Sequence, residues 1–174
     1  LWFVYLTMTL SCFLLYKYFG MSWFDAICHS FSTVSIGGFS TYDENFAFFQ
    51  SESLRWTAIV FMVISGINFA LHYLAWTKKR LFHYFYDSEV KLYLVLLSSA
   101  ALITYLTLYL SKNLYEGMVV DSIFQAVSIG TTTGFLTTNY SNWPLFVPIM
   151  LLIAAFIGAL SLIHISEPTR LNPI

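Results

Sequence analysis

The sequence predicts an all-α polytopic membrane protein built from two copies of one unit, each an outer helix, a re-entrant half-helix and an inner helix. Three observations carry this. Only 10% of the 174 residues are charged and 58% are hydrophobic, whereas a soluble domain carries about 25% charged residues. Four apolar segments have the length of a bilayer crossing, and a shorter one lies between the members of each pair. The second half of the chain also repeats the first.

The four long segments are 1–19, 56–76, 92–110 and 143–163; only the first holds a charge, Lys17 near its end. Each is about 20 residues, the length a helix needs to cross a hydrocarbon core of about 30 Å. Backbone in lipid must satisfy its own hydrogen bonds, so helix is the expected form. Pro144 suits the first turn of the last span. Trp23, Trp56, Trp76 and Trp143 stand near segment ends, as interfacial anchors do.

The shorter segments are 22–33 and 117–129. About 12 residues of helix rise about 18 Å, roughly half a bilayer core. Each therefore reads as a helix that enters and returns, the alternative being an amphipathic helix at the interface. Ser22 followed by Asp25 forms an N-cap pair with its acid at the positive helix end. The basic cluster Lys78, Lys79, Arg80 and Lys91 places the 78–91 linker in the cytoplasm. Both half-helices then enter from outside.

Shifting the chain by 96 residues lays Phe24–Thr41 over Val120–Thr137 with six identities in 18 positions. They pair Asp25 with Asp121, Ile27 with Ile123, Ser32 with Ser128, Gly38 with Gly134, Phe39 with Phe135 and Thr41 with Thr137. After each half-helix comes a loop of small residues, Thr33–Ser40 and Gly130–Phe135. Irregular backbone at membrane depth is tolerated only where protein buries it or where it lines a wet cavity. Small residues let carbonyls face an axis, and a ring of carbonyls can replace the hydration shell of potassium. Either loop alone would also serve as an ordinary connection; two at the same offset, each after a half-helix, favour the ion path.

The segments HSFSTVSIGGFST (29–41), SGINFALH (65–72), AVSIGTTTGFLTT (126–138) and WPLFVPIMLLIAAFIG (143–158) resemble the Trk/Ktr/HKT superfamily of potassium transporters, in particular the pore subunit of bacterial Trk systems. The resemblance spans residues 1 to about 160. It implies four outer helix–pore helix–inner helix repeats around one pore, with 1–77 as the second, 92–160 as a truncated third, and 78–91 as the linker between them. It implies that Ser35, Ile36, Gly37 and Gly38, with Thr131, Thr132, Thr133 and Gly134, each give a quarter of a potassium filter. It also implies a bacterial inner-membrane location, a homodimer, and a cytosolic nucleotide-binding regulatory subunit. Membrane lipid and the remaining pore repeats are the other partners. The family's Gly-rich gate is expected after Phe156–Ala159, but SLIHISEPTRLNPI (161–174) fits neither a span nor that gate and reads as a non-native tail. The chain is thus expected to be a fragment.

Ser65, Asn68 and His72 lie at i, i+3 and i+7 on one helical face, either lining an inner cavity or bonding to neighbouring helices. No HExxH or GxSxG accompanies His29 or His72, so no enzyme is expected. Cys12 and Cys28 form no CxxC pair, and no His/Cys cluster has zinc spacing. Potassium is the only metal expected, as cargo, and no cofactor is. A net charge of −1 gives no footprint for nucleic acid. A two-repeat channel closed by dimerisation, or a non-conducting structural membrane protein, are the alternatives.

Overall fold

The computed structural model describes residues 2–78, 87–112 and 115–166. Among these the chain is helical, without strands. Outer helix α1 (Trp2–Tyr18) leads to half-helix α2 (Trp23–Val34), and α3 (Glu52–Ser65) and α4 (Phe69–Lys78) follow. The second unit has outer helix α5 (Ser88–Leu110), half-helix α6 (Met118–Gly130) and inner helix α7 (Phe146–Ser166). Single 3₁₀ turns, Asn45–Phe48 and Tyr140–Asn142, stand at matching places after the two loops.

The half-helices are 12 and 13 residues long, as the re-entrant reading requires. Each packs against the outer helix of its own unit, and α6 also packs against α3 of the first unit. One core therefore joins Tyr16, Met21, Val34, Phe46 and Met62 to Phe124 and Phe135. A second core, around Leu108, Ala126, Val147 and Leu151, lies inside the second unit.

The polarity of the surface is inverted relative to a soluble fold. Phe3, Leu6, Leu10 and Leu14 project outward from α1, as do Leu92, Val95, Leu102 and Leu106 from α5. Buried inside are Ser30, Ser32, Thr33, Thr57, Thr104, Ser122 and Gln125. Water penalises contiguous apolar faces of this size, whereas lipid does not. By length and composition, α5 is the one described helix that passes as a full membrane crossing.

The second expected span, 56–76, is not one helix. It breaks at Gly66–Asn68 into segments of 14 and 10 residues. Glycine and a polar Asn weaken the helix here, and neighbouring side chains satisfy the carbonyls released by the break. Of the expected tail, 161–166 instead continue α7 as helix; 167–174 and most of the 78–91 linker lie outside the described residues.

Candidate functional site

Each half-helix begins with an anchored acid. Ser22 Oγ caps α2 by accepting the Asp25 N–H at 3.1 Å, the pairing expected from sequence. The Asp25 carboxylate in turn accepts bonds from Ser22 Oγ at 2.7 Å, Thr41 Oγ1 at 2.7 Å and Tyr42 OH at 3.1 Å. It thereby ties the start of the half-helix to the chain leaving the loop. Asp121, its repeat mate, instead pairs with Arg55 of the first unit at 3.1 Å. Burial, with this carboxylate alongside, holds the Tyr115 phenol well above its usual range.

The far ends of the half-helices close by reversing the backbone. Ile36 (φ 49°) donates to the Thr33 carbonyl at 3.1 Å and Gly37 to Ser32 at 2.8 Å. These paired bonds close the last turn in the Schellman pattern. In the second copy Thr132 (φ 63°) donates to Ile129 at 3.0 Å, and Gly134 to Ser128 at 3.2 Å. Gly38 and Gly134 follow at φ 68° and 87°. Positive φ therefore recurs at two positions in each loop, and the two pairs match at the 96-residue offset. Positive φ at a β-branched residue is a true outlier, costs on the order of 1–3 kcal/mol and clusters at functional sites.

This geometry turns loop N–H groups back onto the half-helices and leaves carbonyls over. Among the described residues, the carbonyl oxygens of Ser35, Ile36, Gly37, Thr131, Thr132, Thr133 and Gly134 accept no hydrogen bond. Such acceptor-only groups at the negative ends of two helices suit a cation. Ser128 Oγ steadies the second loop by donating to the Phe135 carbonyl at 2.7 Å, and Thr131 and Thr133 share a hydroxyl–hydroxyl bond of 2.7 Å.

The two loops also touch. A Cβ on Gly38 would collide with the Thr133 carbonyl, whereas one on Gly134 would meet open space. Phe135 is fully buried in the first unit, stacked on His29 with centroids 6.0 Å apart and packed 5.2 Å from Phe46. His29 holds this seat rigidly, with Nδ1 donating to the Asp25 carbonyl at 2.8 Å and Nε2 accepting from Ser40 Oγ at 3.0 Å. The carbonyl is an acceptor only, which fixes that tautomer.

The expected sites thus separate into two groups. The structure brings the two loops into contact, with Gly38 of the first against Thr133 and Gly134 of the second. It does not set Ser65, Asn68 and His72 on one helical face, because the chain breaks among them. Ser65 ends α3, the Asn68 carbonyl opens α4 by accepting from Leu71 and His72, and His72 Nε2 bonds the Ile64 carbonyl at 2.9 Å. His72 serves the break as a cap. Tyr93 of α5 caps the adjacent Val63 carbonyl at 3.1 Å.

Sequence reading missed Asn45, Arg55 and Tyr93. Arg55 carried the clearest signal, as a lone cation beside acids in an outward segment. Asn45 carried a weak one, a single amide in the aromatic run NFAFF.

The TrkH family model, described as a cation transport protein, matches residues 1–166. The chain is 42% identical over 163 residues to the Trk system potassium uptake protein TrkH of Halomonas elongata, covering 92% of this chain and 34% of that one. Against the protein of that name in Escherichia coli K12, identity is 38% over 161 residues, covering 91% and 33%. The crystal structure of the potassium transporter TrkH from Vibrio parahaemolyticus superposes with a TM-score of 0.86 at 37% identity, covering 89% of this chain and 34% of that one. The chain spans about a third of the length of the curated relatives it matches.

Proposed function

The chain belongs to the TrkH family of cation transport proteins, and from that premise we propose that it supplies two filter-bearing units of a potassium-conducting pore. The observation that carries this reading is the duplicated loop, with positive φ at matched positions and its carbonyls left over at the end of each half-helix. A dehydrating potassium ion exchanges water for such carbonyls, and the negative helix ends lower the cost of its positive charge. Ser35–Gly38 and Thr131–Gly134 are the contributing stretches.

Two loops form only part of a ring, and relatives are about three times as long, so further repeats complete it. In this reading 1–77 is one pore unit, and the other starts at 92 and runs, with α7 and the family match, to 166 rather than 160; 78–91 faces the cytoplasm of a bacterial cell, and 167–174 lies outside the pore units. Inner-membrane lipid covers the outward apolar faces of α1 and α5. The whole assembly is a homodimer that works with a cytosolic nucleotide-binding regulatory subunit, a reading supported by family resemblance alone.

The test grafts residues 1–158 in place of the matching region of the Halomonas elongata relative. The graft is expected to restore growth at low potassium to bacteria lacking potassium uptake, and the ungrafted chain is not; growth with the bare chain would favour a two-repeat pore closed by dimerisation. Gly134→Ser in the graft restricts φ where nothing blocks a side chain. Losing one carbonyl ligand costs about 1–3 kcal/mol, roughly a 5- to 150-fold fall in potassium preference over sodium. An unchanged uptake ratio at matched expression would remove these loops from the filter.

A further inference from the structure

Asn45 makes a bridge between the two loops. It opens the first 3₁₀ turn with φ 57°, a conformation that Asn tolerates better than most residues. Its Oδ1 accepts the N–H of Phe46 at 2.8 Å and the N–H of Leu136, 91 residues away, at 3.2 Å. Its Nδ2 donates to the Gly38 carbonyl at 3.3 Å. Two backbone donors on one side and a backbone acceptor on the other fix which way the amide faces.

The three partners are significant by position. Gly38 is the last residue of the first candidate filter stretch, and Leu136 follows Phe135 just beyond the second. Asn45 thus holds one loop's final carbonyl and the chain leaving the other loop at once. Gly38 is also the point where the two backbones meet, at the Thr133 carbonyl. At the 96-residue offset Asn45 falls on Ser141.

We infer that Asn45 is a positioning residue for ion selection: its amide sets the spacing between the first and second loops and aims the Gly38 carbonyl. This inference rests on the reading of the loops as a filter. A positioning group need not touch the ion. It acts by holding carbonyls at a distance that suits potassium, and a loosened ring re-forms around a smaller ion.

The test uses the full-length graft with Asn45→Gly and Asn45→Asp. Glycine keeps positive φ free of strain, so any change reports the lost amide. Aspartate keeps the two accepted bonds but loses the donation to Gly38 and sets a charged carboxylate oxygen against that carbonyl. Both are expected to reach the membrane at normal levels and to lower the potassium-to-sodium uptake ratio at least about fivefold; fivefold corresponds to about 1 kcal/mol, one hydrogen bond. Gly134→Ser runs alongside. A changed ratio in Gly134→Ser with both Asn45 variants unchanged overturns the inference and leaves the filter reading standing. No change in any of the three overturns both. Failure of both Asn45 variants to reach the membrane assigns Asn45 to folding and overturns it as well.

Discussion

Gly38 and Gly134 occupy equivalent places and share positive φ, yet their surroundings differ. The sequence shows the pair as equals, because the repeat aligns them. The difference comes from contact with Thr133, 95 positions from Gly38, and no local pattern encodes that. A methyl group at either site costs about 1–2 kcal/mol in the left-handed region. At Gly38 it also meets a backbone carbonyl that cannot swing aside, and overpacking of that kind adds about 1–3 kcal/mol. Gly38→Ala is therefore expected to lower the melting temperature of the purified graft in detergent clearly more than Gly134→Ala does. Equal losses would mean that the two loops do not meet as described. Ile36 and Thr132 were legible as loop residues for the same reason, but their positive φ was not, since β-branched residues argue against it.

Among the elements, the half-helices were the most legible and the first inner helix the least. Ser22, Asp25 and the length of the apolar run defined α2 to within a residue or two. The run 56–76 has no charge and a spanning length, and glycine is common in membrane helices, so nothing in its hydropathy marks a break. The polar trio Ser65, Asn68 and His72 was the available signal, and reading it as one face assumed the helix it interrupts. What sustains the break is Tyr93, whose hydroxyl caps Val63 and stands where a Cβ on Gly66 would go. Gly66 itself has helical φ of −75°, so alanine suits its backbone and gains up to about 1 kcal/mol of helix propensity. The obstacle is the tyrosine. Gly66→Ala is expected to destabilise the graft, and Tyr93→Phe to cost about 1–3 kcal/mol by leaving a buried carbonyl unpaired. Together they should cost less than their sum by at least about 0.5 kcal/mol, measured by thermal unfolding in detergent. Additive costs would separate Tyr93 from the break.

At the scale of the whole molecule, the two units meet through unlike surfaces. The first presents the His29–Phe46–Phe49 seat, and the second inserts Phe135 into it. Arg55 and Asp121 fasten the same boundary by an ion pair that is largely buried, a pair that is costly to break from one side. The internal repeat made the existence of two like units legible, but not this contact, because Phe39 and Phe135 are identical in sequence and opposite in burial. Phe135 is fully enclosed and Phe39 is 82% exposed. A head-to-tail contact between like units continues until it closes into a ring, so an inserting residue without a seat marks the side where another unit adds. Under the proposed function, that unit is one of the further repeats in the full-length relatives, and Phe39 enters its seat as Phe135 enters this one. The graft supplies those repeats. With cysteine placed at Phe39 or at Asp43, an exposed residue four positions on, intact cells are treated with a membrane-impermeant maleimide. Asp43→Cys is expected to react rapidly, which also checks that this loop faces outward. Phe39→Cys is expected to react at least tenfold more slowly, regaining speed when the bare 1–158 segment is labelled in detergent. Equal rates in the graft would show Phe39 open to water in the full assembly, and the head-to-tail contact would then not extend beyond the two units seen here.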